Sequence, residues 1–201
     1  MKTSNSVKKQ IANFKKQSSK KEKKNKQKSN VGWILKITVL AFFISLIFSF
    51  TSESVIPNVN IIVGIILVII FIAVGVLFDM IGIAVTTADE KPFHSMSAQK
   101  VRGASVAVIF QKNAAKVSSF CNDVIGDICG IISGSAGVII ASTLATDLNI
   151  DVMITTLIIT AFIAALTIGG KAVGKTIAIN KCNIILYEFA KVVSFFYSGK
   201  K

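Results

Sequence analysis

Residues 119–137 read SFCNDVIGDICGIISGSAG, and they open a long apolar segment that nevertheless carries an amide and two carboxylates. Asp123 and Asp127 are four residues apart, so on a helix they share one face, with Ser119 one turn earlier. A carboxylate inside a membrane span is energetically costly and indicates a functional site. This stretch therefore predicts a membrane helix with an acidic face, and the rest of the chain is interpreted around it.

The composition of the whole chain favours a membrane protein that crosses the bilayer several times. Of its 201 residues, 52% are hydrophobic, and the mean hydropathy is +0.67. Apolar runs of about 20 residues are long enough to span a bilayer as helices. Four such runs predict an all-α membrane protein with four transmembrane helices: Val31–Phe50, Ile61–Val85, Ser119–Ala145 and Val152–Gly170.

The N-terminal segment, residues 1–30, has almost nothing to bury. Residues 1–29 hold eleven Lys against one Glu, a net charge of +10, so we expect a disordered cytoplasmic tail. Nucleic-acid binding lacks the interleaved aromatic residues that it would need, so we favour contact with anionic lipid and no nucleic-acid partner. The run at 31–50 is not a cleavable signal and is expected to remain as the first transmembrane anchor.

The distribution of positive charge predicts the topology. The Lys and Arg residues fall in the tail with Lys36, in residues 86–117 and after residue 170, while the connectors 51–60 and 146–151 have none. The positive-inside bias then places both termini in the cytoplasm of a multi-pass cell-membrane protein. Residues 95–116 and the run ILYEFAKVVSFFY (185–197) are predicted to form juxtamembrane amphipathic helices.

The acidic residues of the second and third spans are predicted to lie at similar depths. Asp79 is about eight residues, ~12 Å, from the cytoplasmic end of its span, and Asp127 is about nine residues, ~14 Å, from the end of its own. Adjacent carboxylates in a low dielectric need a positive partner. No Lys or Arg is expected at that depth, so a bound cation or a proton is the predicted partner.

Oxygen ligands with several carboxylates suit a hard cation such as Mg²⁺ or Ca²⁺. An alternative is that the hydroxyls bond back to their own helices while the acids contact water. The glycines Gly126, Gly130 and Gly134 are interpreted as a stripe for close helix packing rather than as ligands. The candidate metal-binding residues are Asp79, Thr87, Ser119, Asn122, Asp123 and Asp127.

Three short motifs, in order, resemble those of the CNNM/CorC (CorB) membrane domain. TTADEKPFHSM is similar to the signature that closes the family's first helix, with Thr87, Asp89 and Glu90 on its Ser, Ser and Glu. SFCNDVIGD resembles the N-N-x-x-N run that opens the second, and residues 170–178 follow the outline G-E-x-x-P-K-x-x-A. The resemblance covers residues 60–195, without the cytoplasmic CBS pair that is typical of the family.

The resemblance implies transport of Mg²⁺, or of Co²⁺, by a homodimer, with Thr87, Ser119, Asp123 and Asp127 as ligating positions. This chain departs from the family pattern, because Asp replaces Asn at two positions, Lys171 replaces Glu and Gly174 replaces Pro. Charged ligands would hold Mg²⁺ more tightly or couple its movement to protons. The alternative function is a non-transporting membrane subunit or scaffold that recruits lipid or a protein. An enzyme is not expected, since neither a paired nucleophile and base nor a phosphate-binding loop is present.

Overall fold

The computed structural model describes residues 31–55 and 60–197, and the part of the chain that it describes is helical without strands. The predicted disordered tail, residues 1–30, lies outside the described residues. Four of the helices are long and apolar enough to cross a membrane, so the protein is an all-α membrane protein. This confirms the predicted fold class and the number of candidate spans.

The first helix, α1, runs from Val31 to Val55, five residues beyond the predicted end of the first span. The chain divides into two compact units after Leu40, within this helix. Most of its large apolar side chains are exposed in the isolated chain, as expected of a helix surrounded by lipid. The hydroxyls of Thr38 and Thr51 each donate to a carbonyl four residues earlier, which satisfies them without a second helix.

The helices that hold the predicted site are α2, α5 and α6. Helix α2 spans Ile61–Thr87, α5 spans Ala114–Leu148, and α6 spans Val152–Asn180. Each of the three packs against the other two. The predicted ends were wrong for α5 and α6: α5 begins five residues before Ser119, and α6 continues ten residues beyond Gly170. A span predicted from an apolar run ends at the first charged residue. The helix itself continues past that residue where neighbouring helices pack against it.

Three shorter helices pack at the end of the bundle where the positive charge is concentrated. They are α3 (Glu90–Ala98), α4 (Ala104–Lys112) and α7 (Cys182–Tyr197). Their shared core with the end of α2 consists of apolar side chains that include Val85, Phe93, Val106, Leu186 and Ala190. Short helices are therefore present in both predicted regions, two before α5 and one after α6.

The junction between α2 and α3 lies before Pro92. A proline disfavours helix at the residue that precedes it, here Lys91, but Ala88 and Asp89 are already extended and α3 begins at Glu90. Pro92 then lies in the first turn of α3. N–H groups in the first turn have no partner within the helix, so the lack of an N–H in proline removes no hydrogen bond here. Thr87 caps no helix here, since Asp89 precedes α3 and makes no side-chain cap bond.

Candidate functional site

Glycines set the antiparallel register between α2 and α5. The side of Gly64 where a Cβ would lie faces Ile140. The same side of Gly75 faces Cys129 and Gly126. The same side of Gly82 faces the side chain of Asn122. A Cβ added at Gly75 would lie 3.1 Å from Cβ of Cys129, so the two helices approach more closely here than larger residues allow. This register places Asp79 level with Ile125, midway between Asp123 and Asp127.

A second pair of glycines sets the parallel register between α2 and α6. Gly170 packs on Val76, and Gly174 packs on Val76 and Met80, where an added Cβ would lie 2.8 Å from Cγ of Met80. Asp79 is therefore level with Val173. Lys171 and Lys175 lie two residues before and two residues after Val173, and they share one face of α6.

Five charged residues from three helices therefore lie at one level of the bundle. We call Asp79, Asp123, Asp127, Lys171 and Lys175 the charged layer. Asp79 lies within electrostatic range of the other four. Three carboxylates and two ammonium groups give the ionised layer a formal charge of −1. The sequence prediction that the acids of α2 and α5 meet at a common depth agrees with this arrangement.

An ion pair joins α5 and α6 within the layer. Nζ of Lys171 lies 3.3 Å from Oδ1 of Asp127. The expectation that no Lys or Arg lies at this depth was therefore wrong. Its cause is the predicted end of the fourth span at Gly170, which assigned Lys171 to a cytoplasmic segment, whereas α6 continues to Asn180.

The acids are not enclosed within the isolated chain. The side chain of Asp127 is 64% exposed, Asp123 is also exposed, and the side chain of Lys171 is 28% exposed. Among the residues that the structure describes, neither Asp79 nor Asp123 forms an ion pair. Asp123 is thus exposed and, within the described chain, without an ion pair, whereas Asp79 is half-buried between the helices.

Asn122 occupies the space that glycine leaves on α2. Its amide lies directly over Gly82, and its Oδ1 atom is buried without a hydrogen-bond partner in the described chain. A buried amide oxygen left without a donor carries a desolvation cost. An ion or a water molecule bound beside Gly82 would remove that cost.

The α5 backbone is irregular at this point. Residues 120–126 form a π-helical segment in which the N–H of Asp127 donates to the carbonyl of Asn122, five residues earlier. Segments of this kind occur frequently at functional sites. Ser119 precedes the segment, and the register places it level with Val85, near the exposed Thr87 at the end of α2.

The six predicted ligands therefore separate into groups along the bundle. The three acids lie in the charged layer, Asn122 lies beside Gly82, and Ser119 and Thr87 lie near the end of α2. From the level of Asp127 to that of Thr87 is about ten residues, or ~15 Å. One Mg²⁺ ion with ligands at ~2 Å cannot contact all six. Across residues 31–55 and 60–197, no three His, Cys, Asp or Glu side chains are arranged to hold one metal ion.

The predicted glycine stripe is only partly correct. Gly126 lies against Gly75, but an added Cβ at Gly130 or Gly134 would meet no atom within 4 Å. The close approaches are made instead by Gly64, Gly75 and Gly82 on α2, by Gly137 on α5, and by Gly170 and Gly174 on α6. Two sequence signals would have identified four of these glycines. They are the seven-residue spacing of Gly75 and Gly82 in α2 and the repeat G-K-x-x-G-K at 170–175.

Side chains from α4 and α7 hold the end of α2. Nε2 of Gln111 donates to the carbonyl of Ala88 at 2.9 Å, and the N–H of Asp89 donates to Oδ1 of Asn183 at 3.0 Å. Gln111 is itself buried. Two of the shorter helices, α4 and α7, are therefore bonded to the residues that directly follow the helix carrying Asp79.

Comparison with known proteins adds no assignment. No protein-family model matches the chain, and no curated protein sequence matches it.

Proposed function

We propose that the protein binds a divalent cation, Mg²⁺ or alternatively Co²⁺, at the charged layer and conducts it across the membrane. The observation that supports this proposal is that Asp79, Asp123 and Asp127 lie at one level of a three-helix apolar bundle, although their side chains are not arranged around one ion in this conformation. Carboxylate, amide and hydroxyl oxygens are the ligands that Mg²⁺ prefers. The unpartnered Oδ1 of Asn122 adds a neutral oxygen one turn away.

The lengths of the helices support access from the side of α3, α4 and α7. Asp79 is 18 residues from Ile61, Asp127 is 21 residues from Leu148, and Lys171 is 19 residues from Val152. These distances correspond to about 27–32 Å of helix, close to the ~30 Å hydrocarbon thickness of a bilayer. The charged layer thus lies near one hydrocarbon boundary, shallower than the sequence predicted, and a cation reaches it without crossing lipid.

The remaining path is closed in this conformation. Beyond the layer, α2, α5 and α6 enclose a cavity of about 240 Å³ whose lining is apolar, including Val68, Ile72, Ile140 and Ile163. Apolar walls offer no ligands to a divalent ion, so they do not compensate the free energy of removing its water. Conduction therefore requires the three helices to separate in this half, as in alternating access.

Lys171 has a defined role in this proposal. The layer carries a formal charge of −1, so a bound Mg²⁺ would leave it at +1 while Lys171 remains in place. The ion and Lys171 therefore compete for Asp127. When the ion leaves, the ammonium group returns and neutralises the carboxylate, which keeps the empty layer stable in a low dielectric.

The proposal includes the orientation and assembly predicted from the sequence. The protein lies in the cell membrane with both termini in the cytoplasm, as the positive-inside bias indicates. The exposed Asp123 and Asp127 would be costly against lipid, at about 2.5–3.5 kcal/mol for a charged residue near mid-bilayer and less near its edge. The homodimer implied by the family resemblance would cover this face. Contact of the N-terminal tail with anionic lipid stays a prediction, because the tail lies outside the described residues.

The experiment that tests this function uses the double variant Asp123→Asn, Asp127→Asn in full-length protein reconstituted into vesicles. We expect Mg²⁺ to raise the melting temperature of the unaltered protein, since a ligand that binds the native state stabilises it. The double variant should lose this stabilisation and the Mg²⁺ flux. Asp147→Asn, at the opposite end of α5, is the matched control. Unchanged Mg²⁺ stabilisation and flux in the double variant would reject the proposal.

A non-transporting subunit or scaffold is the second candidate, and the Lys171–Asp127 ion pair favours it. That pair neutralises Asp127 without any bound ion. In this case the layer would fix the packing of α5 on α6, and the exposed acids would contact a different protein. Two results together would support it: absence of flux in the reconstituted protein, and a partner that co-purifies in a fixed ratio with the unaltered protein but not with Asp123→Asn.

A further inference from the structure

Helix α7 has two apolar faces, and the bundle covers only one of them. Leu186 and Ala190 are buried in the core that α7 shares with α2 and α4. On the opposite face, Ile184, Val192 and Phe195 are 62%, 58% and 68% exposed. The face that packs in the core therefore leaves a second apolar surface of α7 open, which we call the outer face.

Two cations border the outer face. Cζ of Arg102, in the turn between α3 and α4, lies 5.5 Å from the centre of the Phe195 ring. Nζ of Lys191 lies 6.0 Å from the centre of the Tyr187 ring and 3.5 Å from Oε2 of Glu188. Among the residues that the structure describes, Arg102 forms no ion pair. One Arg and one Lys against one Glu give the outer face a formal net charge of +1.

A backbone contact holds the two cations side by side. Gly103, directly after Arg102, has a φ of +86°, and an added Cβ there would lie 2.9 Å from Cα of Lys191. Glycine adopts this conformation readily and leaves room for the close approach. The turn between α3 and α4 is therefore seated on α7 at the position of Lys191.

The contacts of α7 give its direction relative to the bilayer. Near its start, Oδ1 of Asn183 accepts a hydrogen bond from the N–H of Asp89, which follows the end of α2 on the aqueous side. Further along, Phe189 lines a groove together with Phe78, the residue directly before Asp79. Helix α7 thus runs from the aqueous side towards the hydrocarbon boundary.

The second half of α7 lies at the depth of the lipid headgroups. Its buried side chains share a core with Ile81 and Val85, which are two and six residues beyond Asp79, or about 3–9 Å further out. The polar headgroup region is about 5–7 Å thick on each side of a bilayer. Lys191 and Arg102 therefore lie level with lipid phosphates, and the exposed apolar side chains of the last turns lie where the acyl chains begin.

We propose that the outer face of α7, together with Arg102, binds the anionic headgroups of the leaflet on this side of the membrane. Val192 and Phe195 enter the lipid surface, while Arg102 and Lys191 donate hydrogen bonds to phosphate oxygens. Charge complementarity favours this occupant over an apolar helix of another protein, which would cover both cations without offering them acceptors. The proposal uses the depth of Asp79 and does not depend on ion transport.

Fluorescence quenching by brominated lipid tests the surface. Full-length protein carrying Trp33→Phe and Val192→Trp has a single Trp, at an exposed position of the outer face. The protein is reconstituted into phosphatidylcholine vesicles that contain a tenth of acyl-brominated phosphatidylglycerol, or the same fraction of brominated phosphatidylcholine. We expect both lipids to quench, and the anionic lipid to quench more strongly. Arg102→Gln with Lys191→Gln should reduce that preference about fivefold, the equivalent of ~1 kcal/mol.

The matched control is Lys112→Gln with Lys181→Gln, which removes the same charge from two exposed positions outside the outer face. The preference should persist in it. Equal quenching by the two lipids would overturn the proposal, and so would an equal loss of preference in the two double variants, which would indicate surface charge alone.

Aqueous acrylamide separates the remaining outcomes. A Trp that acrylamide quenches and neither lipid quenches would place the outer face in water, and a Trp shielded from all three would indicate a covering protein. Either result would overturn the proposal. Native mass spectrometry of protein with Trp33 and Val192 intact, with and without the Arg102 and Lys191 substitutions, compares bound phosphatidylglycerol with bound phosphatidylcholine. It should give the same preference without the reporter.

Discussion

Nζ of Lys171 on α6 lies 3.3 Å from Oδ1 of Asp127 on α5, at the level where Asp79 and Asp123 also lie. The relationship follows from one glycine contact. Gly170 lets α6 approach Val76 of α2, and the next residue, Lys171, then reaches α5. A sequence that places Lys directly after each glycine of a G-x-x-x-G pair thus brings a cation to the acids of a neighbouring helix.

Lys171→Gln should increase the affinity for Mg²⁺. The substitution changes the formal charge of the layer from −1 to −2 and frees Asp127. The more negative layer should bind Mg²⁺ more favourably by ~1 kcal/mol or slightly more, so the apparent Kd should fall about five- to tenfold. Without Mg²⁺ the variant should be less stable by about 1 kcal/mol, because the ion pair is partly exposed. Titrating Mg²⁺ against melting temperature measures both effects. Lys181→Gln, at the end of α6, is the control, and a shift of equal size in the two variants would refute the competition between Lys171 and the ion.

Gly82→Ala should destabilise the protein, whereas Gly130→Ala should not. A Cβ at Gly82 would occupy the position of the Asn122 amide, and overpacking of this kind costs about 1–3 kcal/mol. The space at Gly130 is open in the isolated chain, so Ala there should be neutral or stabilising by up to about 1 kcal/mol. Unfolding in mixed detergent micelles measures the difference. A large loss at Gly130 would show that a second chain packs on that glycine.

Gln111→Ala should weaken the attachment of α4 to α2. The variant loses the hydrogen bond to the Ala88 carbonyl, a buried interaction whose removal costs about 1–2 kcal/mol. Hydrogen exchange at the start of α3 should become faster, while exchange in the middle of α2 should change little. Gln99→Ala, at an exposed position after α3, is the control. Uniform exchange changes along α2 would mean that the bond does not act locally.

Cysteine labelling tests the predicted orientation. Asn149→Cys lies in the connector between α5 and α6 and is exposed, as is Ser105→Cys at the start of α4. With both termini cytoplasmic, a membrane-impermeant maleimide should label position 149 in intact cells and position 105 only after lysis. The native Cys121 and Cys129 are buried and should contribute little background, and the half-buried Cys182 is replaced by Ser in both variants. Labelling of position 105 in intact cells would reverse the orientation.

The sequence predicted the helical interiors well and their ends poorly. The apolar composition of residues 61–85 and 152–170 was sufficient to identify two spans, because exposing such runs to water is unfavourable. The extension of α6 through Lys171 and Lys175 could not be predicted from hydropathy, since it depends on contacts between α6 and α2. The meeting of Asp79 with Asp127 followed from their similar distances to the span ends. The π-helical segment, which contains Asn122, had no signal in the residues themselves.

The bonds from Gln111 and Asn183 to residues 88 and 89 have a mechanical consequence. Helix α2 carries Asp79, and the two residues that follow the helix, Ala88 and Asp89, are bonded to α4 and α7. Rotation or sliding of α2 must therefore break these bonds or move both shorter helices with it. If ion binding moves α2, as the proposed function requires, α4 and α7 would therefore move with it.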